Sequence, residues 1–154
     1  MHRSLFVFFM PILILGTIAL VSAVSFDRPS RDEYQLRRGR AFLEATNYLM
    51  ALEIFKDLVD WYPEDAQART FLGIVQLRLH LYQASIESFE DASELNSRKA
   101  GPSIGLAHAR LALGEIAPSI ESAKHATDLE PLAVEAWIVL AQALWRDRSY
   151  GEAE

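Results

Sequence analysis

Imidazoles, carboxylates and thiols most often carry catalysis or hold metal, and this chain offers few of them in a useful arrangement. Its histidines are His2, His80, His108 and His125. A zinc site on one helix face needs two ligands a turn apart, as in H-E-x-x-H, and no two of these histidines are four residues apart. Paired acids occur at Glu90/Asp91 and Asp128/Glu130, where helical phase puts them on outer faces bathed by water. The chain contains no G-x-S-x-G, no G-x-x-x-x-G-K-[ST] and no G-x-G-x-x-G, so acyl transfer and phosphate cradling through those motifs have no starting point. It has no cysteine, which excludes disulfides, cysteine zinc sites, thioether-linked haem and a lipoprotein anchor. The expectation is a protein with no catalytic residue, metal, cofactor or small-molecule substrate.

Charge narrows the partners. The chain of 154 residues carries a formal −6 at pH 7. Residues 1–26 contain Arg3 and no acid, so 27–154 carry −7. Nucleic-acid binding depends on Lys and Arg neutralising phosphates, and an acidic body is not expected to take that partner.

Apolar residues make up 51% of the sequence, and the excess is concentrated at one end. From Leu5 to Val24 the run is interrupted only by Pro11, Gly16, Thr17 and Ser22. At 1.5 Å per residue such a stretch spans roughly 30 Å, the thickness of a bilayer core. Val21-Ser22-Ala23 places small residues where a signal peptidase acts, so residues 1–26 read either as a retained anchor or as a cleaved signal. The length exceeds an ordinary signal core and favours the anchor, a single-pass membrane attachment through residues 5–24. Arg28, Arg31, Arg37, Arg38 and Arg40 follow the segment and favour a cytoplasmic body. The signal-like layout favours export, and by a narrow margin the body is expected on the periplasmic or outer side.

After a short linker at 27–31, the elements that must position everything else repeat every 34 residues. Repeats starting at Asp32, Ala66, Ala100 and Val134 need no insertion. Position 8 reads Gly39, Gly73, Ala107, Ala141; position 17 reads Tyr48, Tyr82, Ile116, Tyr150; position 20 reads Ala51, Ser85, Ser119, Ala153. Position 24 reads Phe55, Phe89, Ala123; position 27 reads Leu58, Ala92, Ala126; position 32 reads Pro63, Ser97, Pro131. Small residues at 8 and 20 let two helices approach closely, and aromatics at 17 and 24 fill the space beside them. Pro102 and Pro118 fall in first turns, where the missing N–H costs little, whereas Pro63 and Pro131 fall where a helix must stop.

In register, these residues resemble the tetratricopeptide repeat over residues 32–154. The fourth unit carries Trp137, Leu140, Ala141 and Tyr150-Gly151-Glu152-Ala153. The resemblance implies an all-α fold, an α-solenoid of about 3.5 helix-turn-helix repeats (32–65, 66–99, 100–133 and an incomplete 134–154). Helix pairs are expected at 33–46 with 49–61, 66–79 with 83–95, and 100–113 with 117–129, then a helix at 134–147. Ala123, where the family has an aromatic, should loosen the third unit. Helix 134–147, apolar on most sides, should either continue into further chain or meet a partner.

The resemblance also implies where partners dock, since the family's inner surface is lined by set positions of each first helix. Carried over, position 5 is Leu36, Thr70, Ile104 and Ile138; position 9 is Arg40, Ile74, His108 and Gln142. Position 12 is Leu43, Leu77, Leu111 and Trp145; position 13 is Glu44, Arg78, Ala112 and Arg146. Chaperone-binding relatives clamp a terminal carboxylate with Lys and Asn at positions 5 and 9, and Leu36 and Arg40 do not match them. The competing reading of the apolar stripe is helix-to-helix packing, and His108 is read as a groove or packing residue rather than a pH switch. The expected function is a non-catalytic scaffold that binds protein partners and assembles or stabilises a membrane-associated complex. The alternatives are a structural subunit of a large membrane complex, or the non-catalytic N-terminal part of a longer enzyme. If the anchor is retained, the native protein begins at Met1 or His2 and resists alkaline carbonate extraction; a mature chain beginning at Val24 overturns it.

Overall fold

The computed structural model describes residues 31–151. The expected anchor at 5–24 lies outside the described residues, and among those described no helix is long and apolar enough to cross a membrane. Seven helices and no strand are present among the described residues: α1 (Arg31–Glu44), α2 (Tyr48–Trp61), α3 (Ala66–Arg78), α4 (Tyr82–Leu95), α5 (Ala100–Leu113), α6 (Ile116–Leu129) and α7 (Val134–Gly151). α3, α5 and α7 begin 34 residues apart, and so do α2, α4 and α6.

Local chemistry sets the boundaries. Asp65 starts α3, its carboxylate accepting from the amides of Gln67 at 2.8 Å and Ala68 at 3.1 Å. Asn47 does the same for α2 through Met50 N–H. α1, α3 and α5 all end in one way. The amides of Asn47, Leu81 and Glu115 reach back to the carbonyls of Phe42, Gln76 and Arg110, each at 2.9 Å. The residue before each of these amides, Thr46, His80 or Gly114, adopts positive φ. This is the Schellman turn, which satisfies carbonyls that a helix end leaves orphaned. Only the third turn uses glycine, so Thr46 and His80 each accept a strain of about 1–2 kcal/mol.

Close approach of helices rests on position 8. A Cβ built on Gly39 would lie 2.7 Å from Phe55 Cζ, and one on Gly73 2.8 Å from Phe89 Cε1. Phe89 is wholly buried and is pressed from its other side by Gly105 of α5, where a Cβ would collide still harder. Phe55 instead stacks on Phe71 of α3, with ring centroids 5.3 Å apart. Ser85 Oγ donates to Gly73 O and Ser119 Oγ to Ala107 O, both at 2.8 Å, binding the second helix of a pair to the backbone of the first.

Three expectations change. Ala123 does not open a gap: it is fully buried with Ala107 and Val139, so methyl groups on the flanking helices occupy the space that a ring fills elsewhere. The paired acids are not merely solvated. Asp91 pairs with Arg69, Glu90 accepts from Arg110 at 2.8 Å, and Glu130 accepts the Ala100 amide at 3.2 Å, all across helix boundaries. Finally, α7 does not end at 147 but runs through Gly151. The turn expected before Tyr150 requires positive φ at Arg148, and no second helix packs back on α7 among the described residues to impose it.

Gly73→Leu is expected to lower stability by about 1–3 kcal/mol through overpacking, read as a lower Tm by circular dichroism. In a Phe89→Ala background, which vacates the ring, the same change should cost markedly less, giving a favourable coupling in a double-mutant cycle. Additive costs would mean that ring and glycine do not oppose each other.

Candidate partner-binding cleft

The first helices of the second, third and fourth repeats form a cleft of about 570 Å³. From α3 come Thr70, Ile74, Leu77 and Arg78, from α5 Ile104, His108 and Ala112, and from α7 Glu135. Helical phase explains the set: residues 70, 74, 77 and 78 share one face of α3, as 104 and 108 share one of α5. The apolar members have a double duty. Ile74 and Leu77 pack against buried Ile86, Phe89, Leu106 and Ala109, while Ile104 packs against Ala107 and Ala100.

The remaining expected residues are placed elsewhere. Leu111, Gln142, Trp145 and Arg146 line a second depression of about 530 Å³ between α5 and α7. There Arg146 Nη1 donates to Leu111 O at 3.0 Å, so this arginine serves the carbonyl end of α5. Leu36 and Leu43 of α1 pack onto the core formed by α2 and α3. Arg40 lies over the Phe71 ring, 5.5 Å from its centroid. Ile138 is half exposed and lines neither depression.

Sequence reasoning left out six contributors to the cleft, two of which, Phe89 and Gly105, are the packed pair between α4 and α5. Gly101 and Glu135 occupy position 2 of their repeats, on the same helix face as positions 5 and 9, so phase alone could have found them. His80 and Tyr82 are different, because they line it from the turn between α3 and α4, joined by a 2.7 Å hydrogen bond.

The pKa of His108 is held below its ordinary 6.5. Burial is the main cause; Glu135, whose carboxylate lies 3.8 Å from Nε2, pulls the other way, and the Arg78 charge adds to the lowering. His125, the other histidine on the third repeat, shares a 3.0 Å hydrogen bond with Ser103 and is occupied in tying α6 to α5. No group of three or more metal-ligating side chains occurs among the described residues.

The fold and this cleft define an α-solenoid of helix pairs whose first helices carry the exposed chemistry. Residues 36–100 and 104–154, most of the sequence, match the family model described as Tetratricopeptide repeat, and the chain belongs to that family. No curated protein matches it. The Sgt2 TPR domain from Aspergillus fumigatus is similar in structure with a TM-score of 0.77, 13% identity, and coverage of 82% of this chain and 86% of that one. The first TPR of Spaghetti (RPAP3), bound to HSP90 peptide SRMEEVD, gives 0.71 at 18% identity, covering 80% and 94%. The Yersinia enterocolitica type III secretion chaperone SycD, in complex with a peptide of the translocator YopD, gives 0.69 at 17% identity, covering 79% and 99%.

The depressed His108 pKa makes a signed prediction. The unfolded chain takes up the proton first, so this contribution to stability is complete above 6.5 and is lost as pH falls below it towards the folded pKa. His108→Gln should flatten the urea midpoint between pH 7.5 and 5.5 relative to the parent. An unchanged slope would show that His108 is not the group responsible.

Proposed function

We propose that this chain is a non-catalytic scaffold that takes a segment of a partner protein into the cleft between α3 and α5 and, through residues 5–24, does so at a membrane. The carrying observation is the cleft itself, with an apolar floor of Ile74, Leu77 and Ile104 beneath a polar rim of Thr70, Arg78 and His108. Such a surface receives side chains of a docked peptide. Family membership supports the reading, and solved relatives that hold peptides, SRMEEVD in one and a translocator segment in another, are compatible with it. The positions that clamp a terminal carboxylate in chaperone-binding relatives hold Leu36 and Arg40 here, so the proposed segment is an internal one. The complex served is membrane-associated, the body faces the periplasmic or outer side, and no cofactor takes part.

Photo-crosslinking tests this in the full chain in its native membrane. A benzophenone side chain at Thr70 or Arg78 should give a discrete protein adduct, whereas the same group at exposed Lys56 or Glu121 on second helices should give none. Adducts from Lys56 and Glu121 alone would move the interface to the other face and overturn the proposal.

A further inference from the structure

We propose that the cleft selects an acidic side chain two residues away from an apolar one, with Arg78 pairing with the carboxylate and His108 beside it. This rests on the reading of the cleft as the partner site and adds the chemistry of the partner. Three other arginines of the first helices are engaged away from the cleft. Arg69 pairs with Asp91 and donates to Pro63 O, Arg110 pairs with Glu90 and donates to Ser122, and Arg146 serves Leu111 O. Arg78 is exposed on the cleft wall and makes no ion pair or hydrogen bond among the described residues. A guanidinium has five donors and no acceptor, and a carboxylate is the group that its fork fits.

Spacing fixes the pattern. From Ile74 to Arg78 is one turn of α3, about 6 Å of rise. In an extended peptide, residues i and i+2 are separated by about 6.6 Å and point to the same side. An apolar side chain over Ile74 and Ile104 therefore brings an acid at i+2 or i−2 to Arg78. Glu135 limits the site at its other end, since a carboxylate placed there would meet a like charge. The groups that face His108 are thus Arg78 from α3 and Glu135 from α7, with His80 and Tyr82 lining the same cleft and bonded to each other. An arriving carboxylate favours the protonated imidazole, so binding takes up a proton and tightens as pH falls from 7.5 to 6.

The probes are fluorescein-labelled, C-terminally amidated nonapeptides with Leu-x-Glu, Glu-x-Leu, Leu-x-Gln or Leu-x-Lys at the centre, titrated against the full chain in detergent. Each also carries a benzophenone to map where it sits. The acidic pair should bind roughly tenfold tighter than the Gln peptide at pH 6, and Arg78→Gln should remove most of that preference without changing the Gln peptide. His108→Gln should remove the pH dependence while keeping part of the preference. Circular dichroism of both variants checks that the fold is intact. Equal binding of Glu and Gln peptides, with adducts inside the cleft, overturns the acidic selection and leaves the cleft as a docking site. Adducts only outside it, or no binding by any peptide, overturn both.

Discussion

Phe89 lies between the backbones of two first helices, with Gly73 on one side and Gly105 on the other, and that contact sets the pitch of the array. A ring of fixed volume can be wholly buried there only if both neighbours surrender their side chains. At the preceding junction the same place holds Gly39, Phe55 and Phe71; at the following one it holds Ala107, Ala123 and Val139. Three different sets fill one kind of gap. What recurs is that side chains of the second helix and of the flanking first helices together fill the junction, which is what dense packing requires.

Once that spacing is set, polar chemistry follows it. The Ser85 and Ser119 hydroxyls reach the carbonyls of Gly73 and Ala107 because the helices are that close, and each bond contributes on the order of 1 kcal/mol while satisfying a buried hydroxyl. Arg69–Asp91 and Arg110–Glu90 lie nearer water, where ion pairs contribute little to stability. They commit Arg69 and Arg110 to contacts with second helices, on the side of the first helices away from Arg78.

Helix phase and pairing were legible because the period of 34 residues recurs without insertion, and each recurrence tests the others. What escaped were relations between positions rather than positions themselves. The exchange of Phe89 for Ala123 looks like a loss when position 24 is read alone, and becomes neutral only with Ala107 and Val139 in view. The turn at Thr46 and His80 has no glycine to announce it. Within the cleft, Thr70, Ile74, Leu77, Arg78, Ile104 and His108 come together as their shared phase implies. Leu36 and Leu43 obey the same phase but pack onto the core of α2 and α3. Phase states which way a residue points and says nothing of what covers it.

The last repeat shows where that distinction matters for function. α7 buries Ala136, Val139, Leu140 and Ala143 against the preceding pair, and its opposite side exposes Val134, Trp137, Ile138, Leu144 and Trp145. Trp137 is partly committed, since its indole N–H donates to Pro131 O at 2.9 Å, yet the face as a whole is a broad apolar surface. It lacks the graded polarity of the cleft: an apolar stripe of this kind rewards area and shape, not a particular charge. The two surfaces therefore differ in the chemistry that they expose. In the cleft Arg78 and His108 stand over an apolar floor, while the exposed side of α7 presents only valine, isoleucine, leucine and tryptophan side chains.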